Sequence, residues 1–261
     1  MIRACIFDLG GTIVDRYSLT PFLSLQKIFS DKHVNISNRL IFKDMGKSKR
    51  EHITDIVNNK SVKYQWERIY KRKPQEYDID TLFREFNKIQ TNYCSTLMTI
   101  LPETRECIEY LQYNKILTGA TTGFNEQNMH IIRKKLEFQN LGLDSYVSST
   151  CLDTQSRPYP YMIQENMNRL NIRNPRSVIK IDDTAIGIQE GQNANCWTVG
   201  VVRWSSNMKI QTIEEAYNLE LYQLQENFKK CKQTLIATGA DYVIDSLDDL
   251  PNVIRDINMR S

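Results

Sequence analysis

The chain has 261 residues, room for one large domain or a core with a smaller insert, and carries 25% charged residues with a net charge of +3. That balance is ordinary; with no dense Lys/Arg run among aromatics and no apolar run of membrane length, it gives no case for nucleic acid or membrane and fits a small anionic ligand. Six cysteines (Cys5, Cys94, Cys107, Cys151, Cys196, Cys231) lack C-x-x-C spacing and read as reduced packing residues, and the chain opens straight into a core strand with no leader, so the expected compartment is cytoplasmic.

In chain order, residues 4–7 are a short apolar run that reads as a buried strand and delivers Asp8 to its C-terminal end. Gly10-Gly11-Thr12 then turns the chain tightly. Residues 17–96 follow helical periodicity throughout, with stretches at 22–29, 41–57, 66–70 and 81–93. The stretch 41–57 reads as one continuous helix. Beyond residue 97 the pattern alternates: helix 102–113, strand 116–121, helix 129–136, strand 145–147, helix 161–170, strand 177–181, helix 187–195 and strand 197–202. It ends with one long helix over 213–238, strand 242–244 and helix 247–257.

Such alternation predicts an α/β fold, a doubly wound, mostly parallel sheet with helices on both faces. Residues 1–16 and 97–261 would form this Rossmann-like core, and residues 17–96 an inserted all-helical cap. An insert directly after the first strand lies above the C-terminal edge of the sheet, over Asp8, where it can close on a ligand and exclude water.

An aspartate at that edge can attack phosphorus and become an aspartyl-phosphate; read alone, the stretch also suits a strand ending in a turn with Asp8 as a helix cap. Asp8-Leu9-Gly10-Gly11-Thr12 resembles motif one of the haloacid dehalogenase superfamily, in which the first aspartate is the nucleophile. A second aspartate two residues on protonates the leaving alkoxide in its phosphatases and mutases. Gly10 stands there and has no proton to give, which would cost an ester hydrolase about 10²–10⁴-fold.

A second irregularity lies in the 41–57 stretch. Its apolar stripe runs Ile41, Met45, Lys49, Ile53, Val57, so a lysine stands where an apolar residue belongs, with His52 one turn on. A lysine at the edge of a stripe can snorkel to water. A desolvated one loses pKa and becomes the amine of a Schiff base. Taken with Gly10, the second reading is preferred: an iminium on Lys49 is an electron sink, and a carbon bonded to phosphorus can then leave as an enamine without the missing acid.

Met45-Gly46-x-x-Lys49-x-x-His52 resembles the cap signature of the phosphonoacetaldehyde hydrolase family (phosphonatases), which has a small residue at the position of Gly10. Ala120-Thr121-Thr122-Gly123, Ser156-Arg157-Pro158-Tyr159-Pro160 and Lys180-Ile181-Asp182-Asp183-Thr184 resemble its later motifs, followed by Glu190-Gly191-x-Asn193-Ala194 and Trp197-Thr198-Val199-Gly200-Val201. The resemblance implies Asp8 as nucleophile and Lys49 as Schiff-base lysine. It implies Mg²⁺ held by Asp8, the Gly10 carbonyl and Asp183, with Asp182 as a supporting partner. Thr122 and Arg157 would meet the phosphonyl oxygens, His52 would relay protons, and Met45, Gly46 and Gly123 would line the substrate. The products would be acetaldehyde and orthophosphate. A homodimer through cap helices is also implied; residues 18–29 are apolar enough to contribute, and packing within the cap explains them equally well.

Several positions depart from that pattern. Phe124 stands where a tyrosine is common, Ser18 near a position that can be cysteine, and Leu9 for a more usual tryptophan. Gly187 occupies a position that is aspartate in some members, while others use the Asp-Asp form seen at 182–183. Lys47-Ser48 is more polar than expected. The alternatives are a hydrolase for another small phosphonate or phosphorylated metabolite, or a degenerate relative that only binds phosphate.

Overall fold

The apolar run becomes strand β1 (Ala4–Phe7), with every side chain buried. It sits mid-sheet in a computed structural model that describes residues 1–152 and 155–260. The remaining strands are β2 (Leu117–Thr122), β3 (Ser145–Ser148), β4 (Val178–Asp182), β5 (Trp197–Val201) and β6 (Tyr242–Ile244). They form one sheet in the order β3-β2-β1-β4-β5-β6, with every pairing parallel. Strands covered on both faces read as near-continuous apolar runs, which is why residues 4–7 do not alternate with polar ones.

Between β1 and β2 come α1 (Leu19–Ser30), α2 (Asn38–Lys43), α3 (Lys49–Asn58), α4 (Lys60–Tyr70), α5 (Glu76–Thr96) and α6 (Thr104–Tyr113). The first five gather on a cluster of their own that includes Phe22, Phe29, Ile53, Trp66, Leu82 and Phe86. The chain crosses between this cluster and the sheet at two adjoining segments. There Asp15 N donates to the Thr99 carbonyl (2.9 Å), Leu101 N to the Ile13 carbonyl (2.9 Å), and Val14 bridges Ile100.

The later helices are α7 (Glu126–Phe138), α8 (Tyr161–Arg169), α9 (Ala185–Asn193), α10 (Ile213–Asn218), α11 (Leu221–Ala237) and α12 (Leu250–Arg260). Ile108, Leu111, Ile132, Leu136 and Ile254, from α6, α7 and α12, pack on the face carrying Cys5 and Phe7. Ile163 and Met167 of α8 cover the face carrying Ala4 and Ile6. Ile188 of α9 meets Cys231 and Leu235 of α11 in a further cluster. The predicted doubly wound α/β sheet is therefore present. All six cysteines are free, and among the described residues no helix is long and apolar enough to cross a membrane.

Two expected helices are each broken in two. Residues 41–57 do not form one helix: α2 ends at Lys43, and α3 begins at Lys49. Between them Gly46 takes φ 93°, and a Cβ there would lie 2.6 Å from Ile186 Cγ2 and 2.8 Å from Thr184 Oγ1. Only glycine lets this loop press onto the start of α9. Ser48 then caps α3, accepting from Glu51 N (3.4 Å) and donating to Glu51 Oε2 (2.7 Å). The Ser-x-x-Glu spacing is a helix-start signal that the long apolar stripe masks. Likewise 213–238 bends at Leu219–Glu220, both extended. The bend lets Ile213, Ala216 and Leu219 pack on the same cluster as Leu224 and Phe228.

Candidate active site

The strand order reverses between β1 and β4, and the crevice at such a reversal lies beyond the C-terminal ends of the strands. Phe7 pairs with Ile181, which brings Asp8 level with Asp182. The turn after Asp8 is closed by Ile13 N and Val14 N, both donating to the Leu9 carbonyl at 3.0 Å. Gly11 has φ 76°, and a Cβ there would stand 2.9 Å from Asp183 Oδ2, so glycine is required on both counts.

Asp8, Asp182 and Asp183 are buried, and one carboxylate oxygen of each lies within 4.8 Å of the others. Asp182 is spent on the protein: Oδ1 accepts from Thr184 N (2.9 Å) and Thr184 Oγ1 (2.7 Å), and Oδ2 faces Lys180 Nζ at 3.0 Å. Its carboxyl is held below the usual range by Lys180 and Arg157, against the cost of burial. Asp183 has no cation beside it among the described residues. Its Oδ2 accepts from Ser206 N (2.9 Å) and Ser206 Oγ (3.0 Å). Burial, then Asp182 and Asp8, push it well above the carboxylate range. A crowd of hard oxygen donors that repel one another suits a divalent cation. The site fits Mg²⁺, with Asp8, Asp183 and the Gly10 carbonyl as the groups that would hold it.

Arg157 is 4% exposed. Its Nη2 meets Asp8 Oδ1 at 2.9 Å and donates to the Thr121 carbonyl (2.9 Å) and Thr121 Oγ1 (2.7 Å). Its Nε donates to Glu190 Oε2 at 2.8 Å. Burial lifts Asp8 to about 6 even with Arg157 beside it.

Lys49 is 8% exposed and has neither hydrogen bond nor ion pair among the described residues. Burial lowers its pKa to about 8, with Asp8 partly opposing. It lines a cavity of about 30 Å³ together with Asp8, Gly10, Met45, Gly46, Thr122, Gly123, Phe124, Arg157 and Asp183. A Cβ at Gly123 would lie 3.1 Å from the Lys47 carbonyl, so the cap loop rests directly on the end of β2. Thr122 Oγ1 accepts from Phe124 N at 3.2 Å. A larger hollow of about 830 Å³ beside Met98, Pro102 and Phe138 contains none of these groups.

His52 lies outside the cavity wall. It is fully buried, and neither ring nitrogen has a well-formed hydrogen bond among the described residues. Burial, then Lys49 and Lys47, hold its pKa well below 6.5, so the ring is neutral; the carbonyls of Ile41 and Leu40 favour the proton only weakly. Sequence reasoning passed over Lys180, Glu190 and Thr121 as functional residues, though a lone lysine inside an apolar strand was a visible signal.

A family model described as haloacid dehalogenase-like hydrolase matches residues 5–201. The phosphonoacetaldehyde hydrolase of Parabacteroides distasonis is 33% identical over 261 residues, covering 99% of this chain and 98% of that protein. That of Bacillus cytotoxicus is 31% identical over 254 residues, covering 97% and 96%. The chain belongs to the phosphonoacetaldehyde hydrolase family. The crystal structure of a phosphonoacetaldehyde hydrolase-like protein from Oleispira antarctica superposes with a TM-score of 0.93 at 30% identity, covering 99% of this chain and 93% of that one. A β-phosphoglucomutase from Clostridium difficile shares the fold, with a TM-score of 0.72 at 22% identity.

Within this scaffold the glycines at 10 and 187 have local explanations. A Cβ at Gly10 would lie 3.3 Å from Ser18 Oγ and 3.5 Å from the Phe124 ring, so these two residues crowd the place of the absent acid. At Gly187 a Cβ would fall 1.8 Å from Asp182 Oδ2. The carboxylate of Asp182 therefore fills the space that a side chain at 187 would need, and the two positions exclude one another. Gly187→Ala is expected to destabilise the fold by about 3 kcal/mol, read as a lower melting temperature. A melting curve matching the unsubstituted protein would contradict this packing.

Proposed function

We propose that this hydrolase cleaves the C–P bond of phosphonoacetaldehyde, giving acetaldehyde and orthophosphate, with Lys49 forming a Schiff base and Asp8 attacking phosphorus. The observation that carries the reading is Lys49: a buried amine, unpaired among the described residues, with a pKa near 8 on the same cavity as Asp8, where position 10 offers no acid.

The neutral amine of Lys49 condenses with the aldehyde, releasing water. Asp8 attacks phosphorus, and the electrons of the C–P bond pass into the iminium, leaving an enamine on Lys49 and phosphate on Asp8. Protonation at carbon and hydrolysis of the imine free acetaldehyde and restore Lys49. A second water hydrolyses the aspartyl-phosphate. One water is consumed overall. Arg157 steadies Asp8 and faces the phosphonyl group, and Thr122 stands at the end of β2 to donate to it. Bound Mg²⁺ would supply charge neutralisation between Asp8 and the phosphonyl oxygens. Met45 and Phe124 give the leaving carbon an apolar wall.

The test is direct. Protein with Mg²⁺ and phosphonoacetaldehyde, followed by a coupled alcohol dehydrogenase and a phosphate assay, is expected to release acetaldehyde and orthophosphate in equal amounts. Chelation should stop both, and added Mg²⁺ restore them. No acetaldehyde from folded, Mg²⁺-supplied protein would overturn the reading in favour of another small phosphorylated or phosphonylated substrate.

A further inference from the structure

We infer that Glu190 is a positioning residue that sets the Arg157 fork against Asp8 and the anionic end of the ligand. The part of this inference that concerns turnover rests on the function proposed above.

Glu190 lies on α9, is fully buried and is absent from the cavity wall. Burying a carboxylate is costly unless it is paired. Here one oxygen, Oε2, takes every contact: Arg157 Nε at 2.8 Å, Thr121 Oγ1 at 3.2 Å and Lys180 Nζ at 3.4 Å. The other oxygen, Oε1, has no hydrogen-bond partner among the described residues.

Thr121 makes the arrangement directional. Its hydroxyl receives Arg157 Nη2 at 2.7 Å and Lys180 Nζ at 2.6 Å. With both lone pairs occupied, its single hydrogen can go only to Glu190. Glu190 thus orients the hydroxyl that helps hold Nη2 and also pins Nε. A guanidinium fixed on its Nε edge cannot rotate in its plane. Nη2 then stays on the two Thr121 oxygens, paired with Asp8 Oδ1 at 2.9 Å. Nη1 has no hydrogen bond among the described residues and stands 3.6 Å from Asp182 Oδ2. Without the charge at 190, Arg157 and Lys180 would be two neighbouring cations competing for Asp8 and Asp182.

Glu190→Gln keeps the shape and removes only the charge. It can be compared with Arg157→Lys, which lacks the Nε donor, and with the double variant. Two readings are taken on each: orthophosphate affinity by calorimetry with Mg²⁺, and kcat and KM on phosphonoacetaldehyde. Glu190→Gln is expected to weaken orthophosphate binding about tenfold and lower kcat about tenfold where Arg157 is present. In the Arg157→Lys background each loss should shrink below about threefold. Equal losses in both backgrounds, or unchanged orthophosphate affinity in Glu190→Gln, would overturn the inference, since a merely structural residue acts alike in both. If Glu190→Gln does not fold, Glu190→Asp, which withdraws the charge by one methylene, is read by the same criteria. A wild type that binds orthophosphate but leaves phosphonoacetaldehyde intact would remove the proposed reaction, and the binding cycle would still decide the role of Glu190.

Discussion

Lys49→Met is expected to abolish acetaldehyde release, on the order of 10⁴-fold or more, while making the protein more stable. The thioether cannot form an imine, so borohydride with substrate should modify and inactivate the wild type but not the variant. The stability gain follows from burial. Lys49 titrates near 8 in the folded protein against about 10.4 in an unfolded chain. A folded pKa below the unfolded one means the unfolded chain binds more protons between those values, so stability rises with pH across that window. Below pH 8 the buried ammonium costs on the order of 3 kcal/mol at about 1.36 kcal/mol per unit. Methionine of similar length removes that cost, a trade of stability for function common at active sites. In the proposed mechanism the neutral amine is the reactive form, so kcat/KM should climb with pH up to about 8 and then level. A variant that still traps aldehyde, or a wild-type rate flat from pH 6 to 9, would remove Lys49 from the chemistry.

Asp8→Asn should be nearly as damaging to turnover, on the order of 10⁴-fold, yet separable from the loss of Lys49. The amide keeps the shape but cannot attack phosphorus, and it gives a cation a weaker ligand. Lys49 remains, so the aldehyde should still condense and borohydride should still trap it on the folded variant. Trapping without orthophosphate release would place imine formation before phosphorus transfer. Residual turnover above about one per cent would reject Asp8 as nucleophile, because a lost covalent step leaves only binding and electrostatics.

Much of this was legible from the chain alone. β1 and β4 are apolar because helices cover both faces, and each ends in acidic residues at the reactive edge of the sheet. The one-helix reading of 41–57 was misleading: Met45 and Lys49 both reach the cavity, but from a loop and from the first residue of a new helix. Apolar spacing is nearly the same across a short break as along a helix, so periodicity alone could not separate them. The Ser48-x-x-Glu51 cap could have.

By itself, then, the sequence determined the parallel sheet, the helical insert after the first strand and the identity of the chemical groups, since burial on two faces and strand-end placement are written in local residue order. Only the tertiary structure decided how those groups are used. It left Lys49 without a hydrogen bond or ion pair among the described residues, committed Asp182 to Lys180 and Thr184, excluded a side chain at 187, moved His52 off the cavity wall and joined Glu190 to Arg157. The physical reason is that pairing and desolvation depend on what surrounds a charge in space. The contact between Glu190 and Arg157 spans 33 residues, and that between Thr12 and Asp183 spans 171.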